Sequence, residues 1–220
     1  MSFAKEIIMR CEEQRDSTAA KKMSAYVKGK FPFYGLTSPQ RKQLCKEVYS
    51  EEGIPENGLE IAKYLCSQPK RELHYIGQEL LLKTKKQWQE HYIEDVEWFI
   101  TNNSWWDTVD FLASNVVGEY FKKWPEGKRE IIMKWNSSDN MWLVRSSIIF
   151  QLKYKDHVDT ALLSDCILPH VAGKEFFIRK AIGWALRQYS RFDKQWVEDF
   201  VAKTELQPLS KKEALRLIIG

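Results

Sequence analysis

Apolar and polar positions do not alternate over any sustained run of this 220-residue chain, and turn formers are sparse, with 10 Gly and 7 Pro. Strands and hairpins leave little trace, so the pattern predicts helices nearly throughout. Breaks between the apolar blocks set the helix limits. Ser38-Pro39 opens a helix running through Arg41, Lys42 and Leu44, because proline is tolerated in a first turn. Gly53-Ile54-Pro55-Glu56-Asn57-Gly58 is the clearest loop, with helices beginning near Leu59 and after Pro69. Trp124-Pro125-Glu126-Gly127, Ser137-Ser138-Asp139-Asn140 and Leu206-Gln207-Pro208-Leu209-Ser210 add further punctuation. None is long or biased enough to be an interdomain linker, so residues 1–220 read as one domain of about twelve helices.

Two of these helices are copies of one another. A shift of 34 residues lays Trp142-Leu143-Val144-Arg145 over Phe176-Phe177-Ile178-Arg179. The match continues with Ser147 over Ala181, Ile148 over Ile182, Phe150 over Trp184, Leu152 over Leu186 and Lys153 over Arg187. A fainter third copy puts Trp105 over Trp142 and Phe111 over Ile148, which drops Asp110 into a slot held elsewhere by Ser147 and Ala181. Helix pairs recurring at about 35 to 45 residues are the mark of a HEAT-like repeat α-solenoid, in which each repeat packs on its neighbours and one helix of each pair lines a concave surface. The expected fold is therefore all-α, an α-α superhelix with a concave cleft.

Charge gives that cleft a sign. The net charge is only +4, but residues 1–140 hold 21 basic and 21 acidic side chains, whereas residues 141–220 hold 13 basic and 9 acidic. Arg145, Lys153, Arg179, Lys180, Arg187 and Arg191 lie in the two aromatic-bearing copies. Positive charge interleaved with ring faces is the pattern expected where a nucleic-acid backbone is tracked. Cys11, Cys45, Cys66 and Cys166 are scattered and no histidines cluster, so neither a disulfide framework, a metal site nor a cofactor is indicated. No run of apolar residues approaches a membrane span, and Met1-Ser2-Phe3-Ala4-Lys5-Glu6 leads into a charged amphipathic run rather than a signal-peptide core. A soluble, cytoplasmic monomer without membrane contact is expected.

Candidate chemistry concentrates in Ser104-Trp105-Trp106-Asp107-Thr108-Val109-Asp110. On a helix Trp106 and Asp110 share a face and present a ring and a negative charge together, a pairing suited to a cation. Trp142 with Arg145 and Trp184 with Arg187 are each spaced i, i+3 and share faces likewise. Trp88, Trp98, Trp105, Trp124, Trp135 and Trp196 are expected simply to pack. Ser104 reads as an N-cap, with Asp107 reaching back in a capping box. Asp110 lies beyond the first turn, where the helix dipole favours a carboxylate, and so reads as functional.

The chain resembles the AlkD family of bacterial alkylpurine DNA glycosylases, which are built from HEAT-like repeats. The resemblance spans nearly the whole chain. It is carried by residues 33–42 (FYGLTSPQRK), 104–110 (SWWDTVD), 139–145 (DNMWLVR), 150–155 (FQLKYK), 174–184 (KEFFIRKAIGW) with Arg187, and 208–214 (PLSKKEA). It implies that Asp110 is the catalytic carboxylate, that Trp106 and Trp184 flank the damaged nucleotide's sugar, and that Arg145 acts in the same cleft. Ser38, Arg41, Lys42, Lys153, Arg187, Ser210, Lys211 and Lys212 fall where the family grips the backbone of double-stranded DNA, and Arg179 joins them as a basic residue of the second copy. Ser38 and Lys42 depart from the family's Thr and Arg. Lysine keeps the charge but loses the bidentate fork. Two other readings stay open on sequence: a DNA-binding relative that has lost excision, and a protein-binding scaffold on the same fold.

Overall fold

A computed structural model of the chain describes residues 2–218, and among them no strand occurs. The helices fall into two compact units, one ending at Tyr92 and the other beginning at Ile93.

The first unit contains α1 (Ser2–Glu13), α2 (Ser17–Tyr26), α3 (Ser38–Glu52), α4 (Gly58–Cys66) and α5 (Arg71–Lys83). Ile7, Leu44, Val48, Leu65, Leu73 and Leu80 are buried where α1, α3, α4 and α5 meet. Helix α3 begins at Ser38, as the Ser38-Pro39 signal predicts, and is closed by a capping box between Thr37 and Gln40. The loop leading into it is tied from below. Glu72, fully buried on α5, accepts the backbone N–H groups of Tyr34, Gly35 and Leu36 at 3.0, 2.7 and 3.1 Å. Gly35 has a φ of +106° and its α-carbon faces the Asp16 carbonyl so closely that a β-carbon would lie 2.1 Å from that oxygen. Only glycine satisfies both demands.

Helix α6 (Tyr92–Thr101) leads into the second unit, which holds α7 (Trp106–Phe111), α8 (Gly118–Lys123), α9 (Lys128–Asn136), α10 (Met141–Ile149), α11 (Thr160–Ile167), α12 (Phe176–Tyr189), α13 (Lys194–Lys203) and α14 (Pro208–Ala214). A π-helical segment, Leu112–Val117, joins α7 to α8 without leaving helical backbone angles. The two copies found by the 34-residue shift are α10 and α12, and they pack on one another; α7 packs on α10 in turn, and α14 on α12. The all-α, repeat-built class expected from the sequence is the class observed. Buried Asn136 ties the end of α9 to α10 and α11: its amide donates to the Ser147 hydroxyl and to the Cys166 carbonyl, each at 2.9 Å.

The π segment answers to polar side chains. A π turn displaces the backbone bonds that would reach the preceding carbonyls, and here Ser114 Oγ donates to the Asp110 carbonyl at 2.7 Å while Asn115 Nδ2 donates to that of Phe111 at 2.9 Å. The helix carrying Asp110 thus keeps these carbonyls satisfied where its turn widens.

All four cysteines are buried, and burial pushes each thiol up to about 12. Among the described residues no helix is long and apolar enough to cross a membrane, and no group of three His, Cys, Asp or Glu residues is arranged to hold a metal ion.

Candidate active site

A cavity of about 300 Å³ opens in the second unit between α7, α10, α12 and α14. Trp106 and Asp110 reach it from α7, Arg145 from α10, and Phe176, Phe177, Lys180, Trp184 and Arg187 from α12, with Glu213 from α14. The i, i+4 spacing of Trp106 and Asp110 does what it promises on a helix, putting ring and carboxylate on the same wall.

Asp110 is gripped rather than loose. Arg145 Nε donates to one carboxylate oxygen at 2.7 Å and Nη2 to the other at 2.9 Å, while Nη1 donates to the Phe177 carbonyl. One guanidinium therefore spans α7, α10 and α12. Its side chain is 5% exposed and that of Asp110 17%, so the pair is largely out of water and its fork geometry fixes the carboxylate plane. Burial raises the Asp110 carboxyl above its ordinary range; the bonds and charge of Arg145 oppose that push, and the nearby charge of Asp107 adds to it. A carboxylate offers about four lone-pair sites, so two N–H bonds leave Asp110 able to accept from a further donor.

Three rings pack together at the starts of α7, α10 and α12. Trp105, Trp142 and Phe177 meet pairwise with centroids 5.1 to 5.7 Å apart, in the tilted and edge-to-face arrangements aromatic pairs prefer. These rings precede or begin α7, α10 and α12 and pack the starts of the three helices together; Phe177 is one residue past Phe176, the position the 34-residue shift matches to Trp142. Trp142 consequently does not line the cavity with Arg145; the common face expected for that pair is spent on packing. Trp184 and Arg187 do share a face on the cavity. Trp88 and Trp135 are buried, as expected of packing tryptophans, and the Trp135 indole donates to Glu97 at 2.8 Å.

The N-terminus of α7 differs from expectation. Ser104 does not cap it, because its hydroxyl donates back to the Ile100 carbonyl. Trp105 is the cap residue, without a side-chain cap bond. The Asp107 carboxylate instead accepts the N–H of its neighbour Thr108 at 2.9 Å, so no capping box forms.

The basic residues read from the sequence are placed unequally. Ser38, Lys42, Lys153, Lys211 and Lys212 are exposed, and Lys153 reaches Asn115 Oδ1 within the π segment. Arg41 is buried, paired with Glu79 at 2.8 Å and stacked over Tyr75. Ser210 is buried too, its hydroxyl donating to the Arg179 carbonyl at 3.0 Å. Arg179 is half-buried, and its Nε has no hydrogen-bond partner. Phe176, Phe177 and Glu213 are cavity residues that the sequence did not single out, and Lys180, read there only as one of the basic residues of the second copy, lines the cavity with them. The spacing Lys180, Trp184, Arg187 carries a face signal for the first cation, whereas Glu213 arrives from α14 with no local pattern to announce it.

Comparison with known proteins bears on the chain as a whole. No curated protein sequence matches the chain. The solved structure of a "Predicted DNA alkylation repair enzyme from Enterococcus faecalis" is similar, with 29% identity, a TM-score of 0.87, and coverage of 94% of this chain and 97% of that one. The DNA alkylation repair enzyme family matches residues 7–218. This protein, whose helices bring a largely buried carboxylate and two tryptophans to one cavity, belongs to the DNA alkylation repair enzyme family.

Proposed function

We propose that this protein is a monofunctional DNA glycosylase that hydrolyses the N-glycosidic bond of cationic N3- and N7-alkylated purines, 3-methyladenine and 7-methylguanine among them, in duplex DNA. The observation that carries this reading is the Asp110 carboxylate, fixed by Arg145, at a cavity also lined by Trp106 and Trp184.

Alkylation at N3 or N7 puts a positive charge on the purine, which then leaves as a neutral base. No general acid is required for departure. The demand that remains is an oxocarbenium-like deoxyribose, and a carboxylate held in a low-dielectric cavity stabilises such a charge as in other glycoside cleavages. Asp110 fills that role and accepts a hydrogen bond from the attacking water, and the proton that this water loses on bonding to the sugar carbon passes to the carboxylate and on to solvent. Arg145 holds the carboxylate ionised and oriented, acting through Asp110 rather than on the base. Ring faces of Trp106 and Trp184 add about 0.5 to 2 kcal/mol each toward a cationic sugar. These contributions suffice because the substrate bond is already labile.

The grip on DNA falls to the exposed Ser38, Lys42, Lys153, Lys211 and Lys212 and to Arg187, while Arg41, Arg179 and Ser210 steady the segments that present them. Recognition of the sugar's charge, rather than of a base edge in a flipped-base pocket, makes bulky cationic adducts acceptable and neutral lesions poor substrates. The enzyme acts as a cytoplasmic monomer and uses neither metal nor cofactor. Its catalytic group is a carboxylate and not a Schiff-base lysine, so no strand cleavage accompanies base release. Parallel assays on duplexes carrying 7-methylguanine, uracil or 8-oxoguanine test the reading. Release confined to the cationic base supports it, and comparable release of a neutral base overturns it.

A further inference from the structure

Two carboxylates line the cavity, and their partners differ. Asp110 is held by Arg145, whereas Glu213 on α14 accepts from Lys180 Nζ at 2.7 Å and from the Arg187 guanidinium. Lys180, Trp184 and Arg187 stand at i, i+4 and i+7 on α12, so a single helix face offers cation, ring, cation. Both cations converge on one oxyanion. Helix α14 is seated tightly enough to fix it there, since the β-carbon of Glu213 and the Ser210 carbonyl lie 2.5 and 2.9 Å from where a side chain on Gly183 would begin.

A carboxylate bridging a lysine and an arginine has the charge and the paired acceptor oxygens of a phosphodiester. The Glu213 side chain is 16% exposed, against 37% for Lys180 and 23% for Arg187, so the cations remain reachable from the open side while the carboxylate is tucked behind them. We propose that Lys180 and Arg187 form a subsite for the DNA backbone phosphate beside the alkylated nucleotide, and that Glu213 occupies this subsite as an internal stand-in which the phosphate displaces. The proposal rests on the glycosylase reading of the same cavity. The Lys180 bond, followed by the charges of the two cations against some burial, holds the Glu213 carboxyl below its usual range, so it competes as an anion at neutral pH. Undamaged duplex then meets a cavity lip whose two cations are already engaged, which lowers non-specific affinity without removing the phosphate contact from the bound state.

The test is binding of an unmodified duplex by the full chain, read by fluorescence anisotropy across a salt series, for the wild type and for Glu213→Gln, Lys180→Gln and Arg187→Gln, with circular dichroism confirming each fold. Glu213→Gln is expected to bind about threefold tighter or more at low salt, because a competitor is gone. Lys180→Gln and Arg187→Gln are each expected to flatten the slope of log K against log salt by about 0.9. Weaker or unchanged binding by folded Glu213→Gln would show that the carboxylate only positions α12 and α14, and would overturn the subsite. Should Glu213→Gln fail to fold, the slopes of the two cation variants decide: a fall of about 0.9 upholds the phosphate contact, and an unchanged slope rejects it. A wild type that does not bind duplex at low salt overturns the DNA reading itself, and the subsite with it.

Discussion

Arg145 clasps both oxygens of Asp110, at 2.7 and 2.9 Å, across 35 residues of sequence. The clasp places a guanidinium where the third copy of the repeat needs it, since Asp110 occupies a slot filled by Ser147 and Ala181 in its siblings. Breaking a buried pair by removing one partner costs about 3–5 kcal/mol, because the other charge is left without compensation. Arg145→Ala is therefore expected to lower stability by an amount near the bottom of that range, as Asp110 retains some contact with water. Arg145→Lys keeps the charge and loses the fork, so it should lose less stability while still impairing base release. Denaturant unfolding and single-turnover rates of the two variants check both statements.

The pH dependence of base release follows from the same pair. The ionised carboxylate is the working form, and burial raises its pKa, so activity is expected to fall with decreasing pH through a midpoint above the ordinary aspartate value of about 3.9. Arg145→Lys should move that midpoint higher, because a weaker partner opposes burial less. For stability the sign is opposite: a folded-state pKa above the unfolded one favours folding most below the unfolded pKa, and this contribution is lost as pH rises through the folded value. A rate profile whose acid limb stays at or below the ordinary aspartate range would contradict the assignment.

Trp106 and Trp184 are expected to contribute through their ring faces. At about 0.5–2 kcal/mol per contact, replacing either by alanine should slow single-turnover excision by about 2- to 30-fold. Trp184→Phe should retain most of the rate, since a ring face remains. Equal losses in the alanine and phenylalanine variants would point to packing instead of attraction to a cationic sugar.

Gly183→Ala probes the seat of α14. A new β-carbon would come within 2.5 Å of the Glu213 β-carbon and 2.9 Å of a backbone carbonyl, a contact that requires the helices to part. Overpacking of this kind costs about 1–3 kcal/mol. The expected outcome is a lower Tm, by about 2–4 °C per kcal/mol, which thermal unfolding of the variant beside the wild type checks.

Much of the site was legible because it is local. Trp106 with Asp110, and Trp184 with Arg187, depend only on helical spacing, and the 34-residue shift identifies α10 and α12 as copies because repeats bury the same positions. Misreadings arose where a side chain had two partners to choose from. Ser104 suits an N-cap, yet the end of α6 claims its hydroxyl first. Trp142 shares a face with Arg145 in principle, yet the neighbouring copies draw its ring into packing with Trp105 and Phe177. Arg41 looks like a surface cation until Glu79 and Tyr75 are seen beside it. The π segment and the Glu213 bridge have no sequence signature, since the first depends on how a turn widens and the second on contacts 26 and 33 residues apart.

The most direct test compares release of 7-methylguanine from methylated duplex DNA by the wild type and by Asp110→Asn, at matched DNA occupancy and fixed salt. The account predicts that both proteins bind and that only the wild type releases base at an appreciable rate. Equal release by the variant would contradict the role given to Asp110, and binding without release by either protein would identify a DNA-binding relative that performs no excision.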